Sequence, residues 1–159
     1  KIDAVAALVV PAQAQDVEFE PAALDAIVSY TKGYPYFLQE WGYHVWNEAS
    51  GSPITADDVE SAAKTVETQL DKNFFRVRMD RLTPAEKDYL VAMADLGAGP
   101  HRSGDIATKL GVKVESVAPR RSGLIKKGML YSPAHGDTAF TVPIFDEFLR
   151  RARPNEAEE

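Results

Sequence analysis

At 159 residues, 45% hydrophobic and 26% charged, the chain can hold one domain or two small ones of about 70 to 80 residues, and its composition excludes a disordered segment. The absence of cysteine excludes disulfides and thiolate metal sites and fits a reducing, cytoplasmic setting, and no apolar run reaches the roughly 18 residues of a membrane span. The net charge of −6 divides along the sequence into −8 for residues 1–70, +5 for 71–154 and −3 for the last five, which points to two modules with different partners, the basic one suited to nucleic acid.

The sequence opens at Lys1 inside an amphipathic stretch, with neither initiator Met nor signal-peptide pattern, as a trimmed start would. Residues 2–14 predict a helix with Pro11 near its end, and Glu18–Glu20 a short extended piece. Apolar residues at Ala23, Leu24, Ile27, Val28 and Tyr30 have helical spacing, between Pro21 at the start and Gly33 at the stop. Pro35 opens a third helix to about Ala49, with a wide stripe of Phe37, Leu38, Trp41, Val45, Trp46 and Ala49 that reads as mostly buried. After the turn Ser50–Pro53, Thr55 is placed to cap a helix through Val59, Ala62, Ala63, Val66 and Leu70, with Asp57 and Asp58 in its first turn. Residues 71–80 read as a connector helix carrying Phe74, Phe75 and Val77.

The second module, 81–152, begins with a capping box at Thr83-Pro84-Ala85-Glu86, and its first helix turns Leu82, Tyr89, Leu90, Met93 and Leu96 inward. Ser103 is read as the cap of a short helix, Gly104–Leu110, with Ile106, Ala107 and Leu110 inward. Gly111 makes a sharp turn before a third helix at about Val114–Lys127, closed by Gly128. Two strands, Met129–Ser132 and Thr138–Val142, form a two-stranded wing, and Pro143 opens a last helix. Residues 153–159 read as a disordered tail.

The run from Ile106 through Gly111 and Val117 to Leu130 resembles the winged helix-turn-helix superfamily over residues 82–150. In that superfamily the third helix enters the DNA major groove, so the resemblance implies a DNA-contact set of Arg102, Ser103, Lys113, Ser116, Arg120, Ser122, Lys126 and Lys127. At about 100° per residue, Val114, Val117, Leu124, Ile125 and Gly128 share one face. Arg120 and Lys127 flank that face, and Ser116, Ser122 and Lys126 point outward. Arg121 falls on the apolar face and is expected to pair with a carboxylate such as Asp105 or Glu86. Against DNA, the wing tip Ala134–Asp137 carries no Lys or Arg and Glu115 sits beside the reading face, so a protein partner stays open.

In the first module, Gly33-Tyr34-Pro35-Tyr36, followed by Thr55-Ala56-Asp57-Asp58-Val59, resembles the helical lid of AAA+ and STAND ATPases, especially their archaeal-type and initiator-like branches. The resemblance covers residues 1–70 and implies that Gly33, Tyr34, Pro35 and Tyr36 approach a bound nucleotide at a helix N-terminus. Many such lids carry a γ-phosphate-sensing arginine after the proline, where this chain has Tyr36. No Gly-Lys dipeptide occurs, so the chain has no P-loop and is read as non-catalytic. His44 reads as packing and His101 and His135 as loop residues, without metal-ligand spacing.

The expected fold is thus mainly α, a small helical lid bundle followed by a winged helix-turn-helix. The expected function is that of a C-terminal piece of an ATPase, relaying nucleotide state to DNA or a protein partner. Its partners would be an upstream nucleotide-binding domain, DNA, a protein or a second copy of the chain. ATP and magnesium would belong to the parent, and no cofactor to this piece. The alternatives are a free-standing winged-helix transcriptional regulator and a protein-interaction adaptor.

Overall fold

In a computed structural model of the chain, which describes residues 2–152, helices begin where prolines and capping side chains place them. The chain is mainly helical with one small three-stranded antiparallel sheet. It divides into two compact units, Lys1–Phe74 and Phe75–Glu159. The expected tail, 153–159, lies outside the described residues.

The first unit contains α1 (Ile2–Gln13), α2 (Pro21–Thr31), α3 (Pro35–Glu48) and α4 (Ala56–Leu70). Pro21 and Pro35 each stand at the first helical position, where a missing N–H breaks no helical bond. Thr55 and Asp58 cap α4 reciprocally, the Asp58 N–H donating to Thr55 Oγ1 at 3.2 Å and the Thr55 N–H to Asp58 Oδ2 at 2.8 Å. Those bonds from the Thr55 backbone and hydroxyl hold the Asp58 carboxyl below its ordinary range. Ile27, Phe37, Val45, Val59 and Val66 are fully buried between the helices. Tyr30 lies flat on Trp41 with ring centroids 4.4 Å apart and donates its hydroxyl to Glu60 at 2.9 Å. Trp46, expected in the buried stripe, is instead 38% exposed and borders an open cleft lined by Leu8, Pro11 and Tyr43.

The connector is not the plain α-helix expected. It runs through a π-turn, Asp71–Phe75, into a short helix α5 (Arg76–Met79). The extra residue in a π-turn shifts the helical phase, a shift invisible to periodicity when Phe74 and Phe75 are both apolar. Phe74 packs on Phe37 within the first unit, centroids 5.0 Å apart. Phe75 stacks on Phe148 at 5.0 Å and meets Phe145 edge-on at 5.2 Å within the second.

The second unit contains α6 (Pro84–Leu96), β1 (His101–Arg102), α7 (Ser103–Leu110), α8 (Val114–Lys126), β2 (Leu130–Tyr131), β3 (Asp137–Phe140) and α9 (Phe145–Arg151). Tyr89, Leu90, Met93, Ile106, Leu124 and Phe145 form its core. The sheet order is β1-β3-β2, with His101 opposite Thr138 and Leu130 opposite Phe140. The expected two-stranded wing is therefore corrected to three strands, and His101 moves from loop to strand. Two residues are too short for an alternating pattern, and their ladder partner lies far along the chain. Ser103 proves to be the first residue of α7 rather than its cap, the cap position being Arg102. The last helix starts at Phe145 rather than at Pro143, after Ile144 in a left-handed conformation with φ 57°. Val114 and Leu96, both expected inward, are 45% and 38% exposed, since each lies at a helix end beyond the reach of the core.

Truncating the buried Phe75 ring removes two aromatic contacts and leaves a cavity. Phe75→Ala is expected to cost about 3 to 5 kcal/mol, read as a lowered urea midpoint of the second unit followed by its near-ultraviolet circular dichroism.

Candidate nucleic-acid interface and nucleotide-facing turn

The outward side of α8 carries most of the expected contact residues. Lys113 is the cap residue of α8, and its carbonyl accepts a bond from the Ser116 hydroxyl at 2.7 Å, which fixes the first turn. Ser116, Ser122 and Lys126 are exposed, while Arg120 is half-buried at the flank. Arg102, on β1, is 81% exposed in its side chain and lies 3.8 Å from Asp137 at the start of β3. Ser103 follows it at the head of α7, half-buried. Seven of the eight expected residues thus lie on α8 and its cap or on the adjoining strand and helix start without a buried ion pair. Glu115 and the valines at 112 and 114 are exposed beside them.

Lys127 is the exception. Its Nζ donates to Glu86 Oε2 at 2.7 Å and to the Arg81 carbonyl at 3.2 Å, so its charge is committed inward. Glu86 is only 7% exposed. Its Oε2 also accepts from the Thr83 N–H at 2.8 Å, in the capping box of α6. Burial would raise the Glu86 carboxyl, but the hydrogen bonds from Lys127 and Thr83 together with the lysine charge outweigh it and hold the group below its ordinary value. Gly123 on α8 faces the same carboxylate, where a Cβ would stand 2.5 Å from Glu86 Oε1.

Arg121 is corrected as well. Its Nε donates to Thr138 Oγ1 at 2.9 Å and an Nη to the Asp137 carbonyl at 3.1 Å, with no carboxylate partner among the described residues. The acid expected for it, Glu86, serves Lys127 instead. Sequence reasoning did not find Asp137 and Thr138 as partners, because their approach depends on the β1–β3 pairing.

In the first unit, Gly33 (φ 73°) follows Lys32 (φ 51°) to close α2 in the left-handed region, a conformation glycine accepts at no steric cost. The Tyr34 N–H donates to the Thr31 carbonyl at 2.9 Å and the Gly33 N–H to the Thr31 hydroxyl at 3.2 Å. Helix α3 then starts at Pro35 with no side-chain cap, so its first N–H groups lack the capping oxygen most helices have there. Tyr34 and Tyr36 both pack toward Phe74, at 6.2 and 4.9 Å, and Tyr36 remains 41% exposed. The four residues Gly33 to Tyr36 therefore form a rigid aromatic turn at a helix start.

Among the described residues, no three His, Asp or Glu side chains gather where they could hold a metal ion, and no helix is long and apolar enough to cross a membrane.

A family model described as a domain of unknown function (DUF8462) matches residues 72–149, just under half of the chain. No curated protein matches the sequence. Among solved structures, the Holliday junction branch migration motor RuvB of Thermotoga maritima is 20% identical with a TM-score of 0.37, over 80% of this chain and 42% of that one. A mutant of the same RuvB is 19% identical with a TM-score of 0.40, over 95% of this chain and 48% of that one. The chain spans less than half the length of these structures.

The Lys127–Glu86 contact yields a stability test. Lys127→Ala should destabilise the second unit by about 1 to 2 kcal/mol, the lower range for a charged hydrogen bond because the lysine is partly screened by water, measured by urea unfolding. A lowered carboxyl contributes full stability above the ordinary glutamate value of about 4.3 and loses it as pH falls through the folded-state value. Glu86→Gln should accordingly flatten the fall in melting temperature between neutral pH and about pH 3.

Proposed function

We propose that this chain is the lid and winged-helix portion of a longer, cytoplasmic AAA+/STAND-like ATPase, in which the second unit binds duplex DNA. The observation that carries the DNA reading is the exposure of Lys113, Ser116, Ser122 and Lys126 along α8 together with that of Arg102 on β1. Phosphates are bound by such residues at the start and outer side of a recognition helix. The order α6, β1, α7, α8, β2, β3, α9 supports reading the second unit as a winged helix, and Arg120 adds a cation at the rim.

In the first unit, the turn Gly33 to Tyr36 supports a lid that leans on the nucleotide held by an upstream domain. Backbone N–H groups at an uncapped helix start suit an anion, and Tyr36 offers an exposed ring rather than a phosphate-sensing charge. The chain itself would supply no catalytic group, and ATP and magnesium would bind upstream. A Walker A motif encoded in the same reading frame upstream is required by this proposal.

A second reading is favoured by the exposed Val112 and Val114 flanking Lys113, which suit a protein partner better than a phosphate backbone. Salt dependence separates the two. If Arg102, Lys113 and Lys126 each neutralise one phosphate, log K for a duplex should fall with log salt at a slope of about −3, and each alanine substitution should reduce that slope by about 1. Fluorescence anisotropy with a labelled duplex between 50 and 200 mM salt, as rough working limits, measures this. Binding that is absent or unchanged by salt and by Lys113→Ala and Lys126→Ala rejects DNA as the partner.

A further inference from the structure

Between α1 and α3 of the first unit lies an open cleft of about 350 Å³, at the small end of the roughly 300 to 1,000 Å³ range of ligand sites. Its floor is Leu8 and Leu38, both buried, and the rings of Phe19, Tyr43 and Trp46 stand along it, the first half-buried and the other two exposed. The Phe19 backbone is fixed by a parallel bridge to Ile54, where the Glu20 N–H donates to the Ile54 carbonyl at 2.9 Å and the Ile54 N–H to the Glu18 carbonyl at 2.8 Å. The floor is equally set, since α3 passes so close at Gly42 that a Cβ there would stand 3.0 Å from Leu8 Cδ2. Three aromatic walls over an apolar floor suit a flat ring better than a flexible chain.

One backbone group at this cleft has lost its helical partner. Pro11 lies within α1 and, like Ala7 one turn before it, lines the cleft. Proline has no N–H, so the Ala7 carbonyl has no donor four residues on, and the pyrrolidine ring pushes that carbonyl away from the helix axis. An acceptor is thus left open at an apolar wall. Gln15 and Gln39 also line the cleft, but their amides can turn either a donor or an acceptor to a ligand, so the carbonyl is the group that fixes orientation.

No charged side chain lines the cleft. The residues next to its lining in the chain are acidic where they are charged: Asp16 after Gln15, Glu18 and Glu20 around Phe19, and Glu40 after Gln39. His44, beside Tyr43, lies 3.8 Å from Glu40, and none of these neighbouring positions holds Lys or Arg. An anion would therefore enter a negative field with no cation to receive it, and an aliphatic chain would leave the carbonyl unanswered.

We propose that this cleft binds a small neutral heteroaromatic molecule with one ring N–H, its ring among Phe19, Tyr43 and Trp46 and its N–H donating to the Ala7 carbonyl. The site shares no residue with the turn Gly33 to Tyr36 and does not depend on the nucleotide or DNA readings.

The test uses the full chain with indole as the probe, followed by calorimetry and by the methyl resonances of Leu8 and Leu38. Indole should bind and shift those methyls, and 1-methylindole, which keeps the ring and loses the donor, should bind about two- to tenfold more weakly. Pro11→Ala returns an N–H to the Ala7 carbonyl and should erase that difference between the two probes. Indole-3-acetate, the same ring with an anionic arm, should bind about two- to fivefold more weakly than indole. Ala7→Trp, a change at an exposed position, should fill the cleft and abolish the methyl shifts. Should that variant fail to fold, the Pro11→Ala comparison decides alone. No indole binding at about 1 mM, whether or not the chain self-associates through the cleft, would overturn the proposal. So would indole binding that leaves both methyls unmoved, a preference for indole over 1-methylindole that is absent or that survives Pro11→Ala, or tighter binding of indole-3-acetate than of indole.

Discussion

Glu86 ties together three segments that are far apart in sequence: the start of α6 through the Thr83 N–H, the end of α8 through Lys127, and the chain at Arg81, whose carbonyl shares the same amine. A carboxylate this buried is costly unless its lone pairs are filled, and here the backbone and a cation fill them together. The close approach of α8 also depends on Gly123, since any side chain there would meet the carboxylate. The capping box is thus a tertiary device as well as a helix start. It fixes where the third helix of the second unit ends and hence which of its residues face outward.

That placement determines the chemistry of the outer side. Lys127 is withdrawn from it, and Arg121 is turned inward onto neutral acceptors, Thr138 and the Asp137 carbonyl, which join α8 to the sheet. An arginine bound to carbonyl and hydroxyl oxygens keeps its full charge, so it raises the potential of the face without touching a ligand itself. What remains in contact range of a partner is a short set of cations and hydroxyls, with Glu115 and two valines among them.

Helix starts were readable because prolines and Thr-containing capping boxes are local signals. Pro21, Pro35, Thr55 and Thr83 all stand where the sequence pattern puts them. The strand β1 was not readable, since a two-residue strand exists only by virtue of its partner. The π-turn was hidden by the run of apolar residues around it. For the candidate sites, helical phase placed Lys126 and Ser122 outward, as they are, but it also read Lys127 as a DNA contact, whereas its amine is held by Glu86. The expected pairing of Arg121 with Asp105 or Glu86 failed, because the phase of a helix tells which side a residue occupies and not which neighbour reaches it first.

Adjacent residues Phe74 and Phe75 are both buried, one in each unit. The division between the units thus falls at one peptide bond of the chain, inside the π-turn. Length changes that a loop would absorb cannot be absorbed there. Removing or inserting one residue in Asp71–Phe75 would change the helical phase by about 100° and turn one of the two rings away from its core.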